Sequence, residues 1–146
     1  MYIVPSLSDS GASLVGFGIR TLLLAGQEQA APLARRLAGL GSQVEAIDEM
    51  FTALSEVIED PVSHGLLVVD CDSTNVGGIA GGRRLVQMMG DLVTRVPVIL
   101  ISSECRQQHF PEDRMAATEL RAPLSSVSLR VGFEHALRER LAYRAA

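Results

Sequence analysis

Two acidic and two hydroxyl side chains follow the apolar runs of this sequence. Asp70 ends the run Leu66–Val69 in GLLVVDCDSTNVGG, and Asp72 lies two positions later. Ser102 and Ser103 end the second run, in VPVILISS. Because ligands of open α/β sheets bind beyond the carboxyl ends of strands, these positions are candidates for a site. Asp70 and Asp72 predict either a weak cation site or a cap on the following turn, and the two serines are expected to satisfy backbone groups at the strand end.

Other combinations of reactive side chains have weaker patterns. Cys71, Cys105 and His109 follow the same strands, but they lack the paired spacing of zinc ligands, so no metal site is predicted. The two cysteines do not form the framework of a secreted protein. His64 and His135 are interpreted as structural or exposed. No GxSxG motif is present, and no Ser-His-Asp arrangement is indicated.

The glycine-rich stretches do not predict a nucleotide site. VGFGIR contains G-x-G, but it precedes a strand, whereas the dinucleotide fingerprint follows one. GGIAGG, residues 77–82, opens a helix but has neither the G-x-G-x-x-G spacing nor a P-loop lysine. Cofactors are therefore not expected.

Composition indicates one folded domain. The 146 residues are 47% hydrophobic and 21% charged, which is typical of a globular chain with a single core. The formal net charge of -4 gives no reason to expect nucleic-acid binding, and all 13 basic residues are arginine. No apolar run is long enough to span a membrane, and the N-terminus is a poor signal peptide, so a cytoplasmic location is expected.

Hydrophobic periodicity predicts alternating strands and helices after a loose extension at residues 1–20. Residues 21–146 form the predicted domain. Its predicted strands are 21–26, 43–48, 65–70, 96–102 and 118–121. Such alternation indicates a parallel sheet with helices on both faces.

The predicted helices carry apolar residues at helical spacing. The first covers residues 28–41, with Ala30, Leu33, Ala34, Leu37 and Leu40 on one face. The second carries Met50, Leu54, Val57 and Ile58, and the third covers residues 78–90. A short fourth helix is predicted to begin at Pro111, after the loop ECRQQHF. The last helix places Leu129, Phe133, Leu137 and Leu141 toward the core, with Glu134 expected to pair with Arg138.

The order of these motifs resembles the receiver domain of bacterial response regulators, the CheY-like superfamily, over residues 20–143. The resemblance implies an α/β fold, a three-layer flavodoxin-like (βα)5 sandwich with a parallel sheet of order 2-1-3-4-5. Asp70 matches the phosphoacceptor aspartate of that family, and Ser102 matches its conserved hydroxyl position. Gly78 matches the glycine that opens the third helix, and Pro123 matches the proline after the fifth strand.

The sequence departs from this family at the positions that support phosphorylation. The acidic pair that holds Mg²⁺ after the first strand is replaced by Gly26 and Gln27, and Ala122 stands where the family has lysine. Glu28 lies one position too late, and Arg121 is expected on the opposite face of its strand. Loss of both cations removes most of the electrostatic stabilisation that phosphoryl transfer needs. The pattern therefore favours a degenerate pseudo-receiver with no bound metal.

Three hypotheses remain open from the sequence. The first is a phosphorylation-independent signalling domain that acts through protein contacts or self-association. By the resemblance, its surface would be the fourth helix, fifth strand and fifth helix, with Phe110, Met115, Arg130 and Arg138 as candidates. The second is an active receiver that autophosphorylates on Asp70 with Mg²⁺. The third is a flavodoxin-like domain that binds a small molecule.

Overall fold

The computed structural model describes residues 16–138, and its centre is a five-stranded parallel sheet. The strands have the order β2-β1-β3-β4-β5, as predicted. β3 lies in the middle of the sheet and is buried at all five positions, which explains its continuous apolar sequence. Their bounds are Arg20–Leu24, Gln43–Ile47, Leu66–Asp70, Val98–Ser102 and Thr118–Arg121.

Four α-helices are described, and they cover both faces of the sheet. Their bounds are Gln27–Ala38 (α1), Met50–Glu59 (α2), Gly78–Met89 (α3) and Ser126–Ala136 (α4). Short 3-10 helices cover Pro61–Ser63 and Gly90–Thr94. None of the described helices is long and apolar enough to cross a membrane.

Alternate residues of the strands β1, β3 and β4 enter two separate apolar clusters. Leu67 and Val69 of β3 pack with α2 and α3, whereas Leu66 and Val68 pack with α1 and α4. Phe133 is the largest fully buried side chain, and it lies in the second cluster. The sheet is therefore the middle layer of a three-layer sandwich.

Several predicted details are corrected by the structure. Ile58 was expected in the core, but its side chain is 52% exposed, because it lies beside the buried stripe of α2. β1 begins at Arg20, one residue before the predicted strand. Residues 1–15 of the predicted N-terminal extension and Leu141 of the predicted last helix lie outside the described residues.

The predicted fourth helix does not form. Residues 103–117 connect β4 to β5 as an irregular segment, here called the β4–β5 connection. His109 in this segment forms an antiparallel bridge with Glu119 of β5. The His109 and Glu119 amides each donate to the other residue's carbonyl oxygen, at 2.7 and 2.9 Å. The outer edge of β5 is therefore covered by backbone where a helical connection was expected.

Candidate functional site

Asp70 lines a cavity at the carboxyl ends of the strands. This cavity, here called the Asp70 cavity, has a volume of about 870 Å³, and its lining includes Gly26, Gln27, Asp48, Asp70, Ala122 and Pro123. The Asp70 residue is only 8% exposed, and its Oδ1 accepts a hydrogen bond from the Asp72 amide at 3.2 Å. Burial raises the pKa of the Asp70 carboxyl, the Asp72 amide lowers it, and the Asp72 charge raises it.

The Asp72 carboxylate is hydrogen-bonded to the end of β4 and the start of the β4–β5 connection. Its carboxylate accepts hydrogen bonds from the Ser103 amide, at 3.0 and 3.1 Å, and from the Ser103 hydroxyl at 3.1 Å. The Ser102 hydroxyl donates to Asp72 at 3.3 Å and accepts from the Glu104 amide at 3.0 Å. The Ser102 hydroxyl therefore satisfies a backbone amide at the strand end, as the sequence indicated, whereas the Ser103 hydroxyl bonds to the carboxylate of Asp72, which caps this turn.

After β1, the cavity is lined by Gly26 and by the side-chain amide of Gln27, where the receiver family has two carboxylates. Gly26 precedes α1 in an extended conformation and has no side chain to cap the helix. The Gln27 amide donates from Nε2 to Asp48 Oδ2 at 3.1 Å, which ties α1 to the end of β2. Glu28, which the sequence placed aside from the site, does line the cavity, but it is exposed.

The end of β5 brings Ala122 and Pro123 to the same cavity. Arg121 is absent from the described lining, and its guanidinium donates to the Arg106 carbonyl at 3.2 Å. Its side chain therefore does not replace a lysine at position 122, as the alternation of strand residues predicts. Arg36 of α1 is the one cation in the described lining, and it donates to the Leu124 carbonyl at 3.2 Å.

Glu104 is a functional-site neighbour that the sequence did not reveal. Its Oε1 accepts a hydrogen bond from the Ile79 amide at 2.8 Å, at the start of α3. Gly78 has a φ of +78°, and a Cβ there would lie 2.5 Å from the same Glu104 oxygen. The carboxylate suits the positive end of the helix dipole. No local signal in the sequence links residues 25 positions apart, so only the fold discloses this cap.

The described residues do not fit the Mg²⁺ that the resemblance implies for active receivers. Within residues 16–138, no group of three or more His, Cys, Asp or Glu side chains is arranged to hold a metal ion. Mg²⁺ gives up its water reluctantly and needs several oxygen ligands, whereas Asp72 is already hydrogen-bonded to Ser103.

Burial raises the pKa of the Cys71 thiol to about 12, so this thiol remains protonated at neutral pH.

The four candidate contact residues lie around α4 and the β4–β5 connection. Phe110 is 36% exposed and contacts the ring of His135 edge-on, and Met115 is 40% exposed. Arg138 donates to the carbonyl oxygens of His135 and Glu112, at 2.7 and 3.0 Å. The expected pair of Glu134 with Arg138 is therefore wrong among the described contacts, since Arg130 lies 3.3 Å from Glu134 instead.

Proteins of similar fold are found among solved structures. The sequence matches no protein-family model and no curated protein. The structure is similar to a response regulator receiver domain protein from Clostridium thermocellum, with a TM-score of 0.61 and 15% identity over 84% of this chain and 96% of that one.

Two further solved structures have similar values. The receiver domain of the hybrid histidine kinase CckA has a TM-score of 0.60 and 21% identity, over 81% of this chain and 98% of that one. A response regulator receiver protein from Burkholderia phymatum has a TM-score of 0.59 and 14% identity, over 82% and 95%. The sheet order, the position of Asp70 at the end of the central strand β3 and these structural similarities all indicate the same fold. The chain has the fold of response regulator receiver domains.

Proposed function

We propose that this chain is a receiver-like signalling domain of two-component type that acts through protein contacts without phosphorylation of Asp70. The observation that carries the proposal is the composition of the Asp70 cavity. Asp70 has no cation partner among residues 16–138, Gly26 and Gln27 stand at the end of β1, and Ala122 precedes Pro123.

The chemistry of phosphoryl transfer supports this proposal. A carboxylate that attacks a phosphoryl donor must overcome the repulsion between two anions, and enzymes do this with metal ions and basic side chains. Arg36, the cation in the described lining, is bound to the Leu124 carbonyl. The signalling part of the proposal is supported by solved structures of similar fold, which include response regulator receiver proteins and the receiver domain of a hybrid histidine kinase.

The proposed contact surface combines α4 with the β4–β5 connection. Phe110 and Met115 expose apolar atoms on the connection, while Arg130 lies in α4 and Arg138 just after it. Exposed apolar side chains rimmed by polar groups are typical of protein contact sites. Since no fourth helix forms between β4 and β5, a partner would meet the connection itself rather than a helix.

Incubation with acetyl phosphate and Mg²⁺, followed by intact-mass measurement, tests the proposal. We expect no phosphoryl gain in the wild type, because both cationic contributions are missing. The matched variant Gly26→Asp, Gln27→Asp, Ala122→Lys restores the acids and the lysine, and we expect it to gain measurable Mg²⁺ binding and phosphorylation. A Cβ at position 26 would lie 3.2 Å from the Ser73 hydroxyl, so that side chain must rotate slightly.

Two outcomes of this experiment are informative. Stoichiometric phosphorylation of the wild type that disappears in Asp70→Asn would contradict the proposal and identify an active receiver. A folded triple variant that binds no Mg²⁺ would show that the cavity has diverged in shape as well as in residues. Asp70 would then be a structural cap, and the proposed contact function would stand.

A further inference from the structure

The Asp70 cavity carries an excess of negative charge. Its described lining includes four carboxylates, those of Glu28, Asp48, Asp70 and Asp72, and a single guanidinium, that of Arg36. Three of the carboxylates accept hydrogen bonds from neighbours: Asp48 from Gln27, Asp72 from Ser103, and Asp70 from the Asp72 amide. A ligand that complements this cavity is therefore a cation.

Asp70 is the one buried acidic residue in the described lining, and no cation pairs with it there. The Asp70 residue is 8% exposed, and the Asp72 amide is the one hydrogen-bond donor to its carboxylate among residues 16–138, which leaves Oδ2 without a partner there. Burial is the main reason that the pKa of this carboxyl is raised. A buried carboxylate is costly unless it is paired, so a cation at Oδ2 would gain from the charge that the protein leaves unneutralised.

The surroundings of Asp70 fit an organic ammonium group better than a metal ion. A divalent ion needs several free oxygen ligands, and the described residues do not supply three together. An ammonium group carries one charge and three N–H donors, and it can be satisfied by one carboxylate and neutral oxygens. The cavity also has an apolar part, formed by Pro32, Leu33, Ile101, Pro123 and Leu124, and the small Ala122 adds room.

We propose that the Asp70 cavity binds an alkylammonium group, with the nitrogen at Asp70 and the methylene chain along the apolar part. The ligand is either a free aliphatic amine or the lysine side chain of a protein partner, since both present the same chemistry. The inference rests on the proposed function only in taking Asp70 as free of phosphate.

Calorimetric titration of the whole chain with three probes tests this inference. The probes are 1,5-diaminopentane, a lysine capped at both backbone ends, and norleucine capped in the same way. We expect at least one amine to bind and the uncharged norleucine probe not to bind. Asp70→Asn should weaken amine binding at least about tenfold, which corresponds to about 1.4 kcal/mol and to the loss of one charge-assisted hydrogen bond.

Two further variants act as controls. Asp91→Asn makes the same chemical change at an exposed residue outside the described lining, and binding should be unchanged. Ala122→Lys supplies an ammonium group from the chain itself, so it should block the added amine and raise the melting temperature. Binding by the diamine alone would identify a free amine as the ligand class, and binding by the capped lysine alone would identify a partner side chain.

The inference is wrong if neither amine binds, or if wild type and Asp70→Asn bind equally well. Phosphorylation of the wild type would contradict the proposed function whether or not amines bind. Absence of amine binding in a chain that also accepts no phosphate would contradict this inference alone. The two hypotheses are therefore tested separately.

Discussion

The connection from β3 to β4 and the connection from β4 to β5 begin side by side at the same end of the sheet, yet only the first contains a helix. β4 offers an apolar face toward α3, because Val98 and Leu100 belong to the cluster on that side. On β5 the alternate residues Thr118 and Leu120 are buried, whereas Glu119 is half-buried and Arg121 is exposed. A helix packed over β5 on the α3 side would have to cover these charged residues.

This difference shows that a helix in a parallel sheet depends on the strand beneath it. Glu119 accepts two hydrogen bonds from Arg83 of α3, at 2.9 and 2.8 Å, so a salt bridge lies at the margin of that face. The β4–β5 connection then bonds to the strand edge through its own backbone. The helix of the first connection, α3, therefore packs closely on β4 through apolar side chains, whereas the second connection contacts β5 at its edge through polar groups. Substitutions in the two connections should therefore have effects of different size on stability.

The largest effect is expected at the close approach of α3. A Cβ at Gly81 would lie 1.8 Å from the Val76 carbonyl oxygen, so Gly81→Ala forces the helix away from its turn. We expect a loss of about 3 kcal/mol or more in the free energy of unfolding, measured by urea denaturation. Gly77→Ala is the control, because its φ is +88° but nothing lies within 4 Å, and strain alone should cost about 1 kcal/mol. Equal losses in both variants would contradict the close packing.

An intermediate effect is expected at the bridge of the second connection. His109→Pro removes the amide that donates to Glu119, and we expect a loss of about 1–2 kcal/mol with faster hydrogen exchange of the Glu119 amide. His109→Ala keeps both backbone hydrogen bonds and removes an exposed ring, so it should stay within about 0.5 kcal/mol of the wild type. If the alanine variant loses as much as the proline variant, the ring rather than the backbone holds this edge.

The smallest effect is expected for the salt bridge between the two regions. The Arg83 side chain is 59% exposed and that of Glu119 is 16% exposed, so solvent screens much of the attraction. A double-mutant cycle of Arg83→Ala and Glu119→Ala should give a coupling energy of about 0.5–1 kcal/mol that falls in high salt. A coupling energy of zero would show that this ion pair does not stabilise the contact between α3 and β5.

The sequence predicted the fold wherever the apolar pattern was strong. The continuous run at 66–69 predicted a central strand, and the spacing of Leu33 and Leu37 predicted the buried face of α1. It failed at residues 103–117, where Pro111 and the acids after it are typical of a helix start. A backbone bridge joins His109 to Glu119 there, and such a bridge has no signature in side-chain hydrophobicity.

The candidate site was predictable in position but not in its bonding. The end of β3 placed Asp70, and the strand order placed Ala122 and Pro123 beside it. The capture of Asp72 by Ser103 could not be predicted, because it joins residues 31 positions apart through a turn with no regular pattern. The same holds for the cap that Glu104 forms on α3.

The covered edge of β5 limits where a further strand can be added to the sheet. Glu119 bonds to His109, and the Arg121 amide donates to Gln108 Oε1 at 2.6 Å, so the outward amides of residues 119 and 121 are both satisfied. β2 lies at the other end of the sheet, and in the described chain it pairs with β1 alone. Among residues 16–138, edge-to-edge addition of a foreign strand is therefore blocked at β5, and β2 is the edge that has no second partner strand. A sheet with one blocked edge can end a ladder of strands but cannot continue it as an internal link of a fibre.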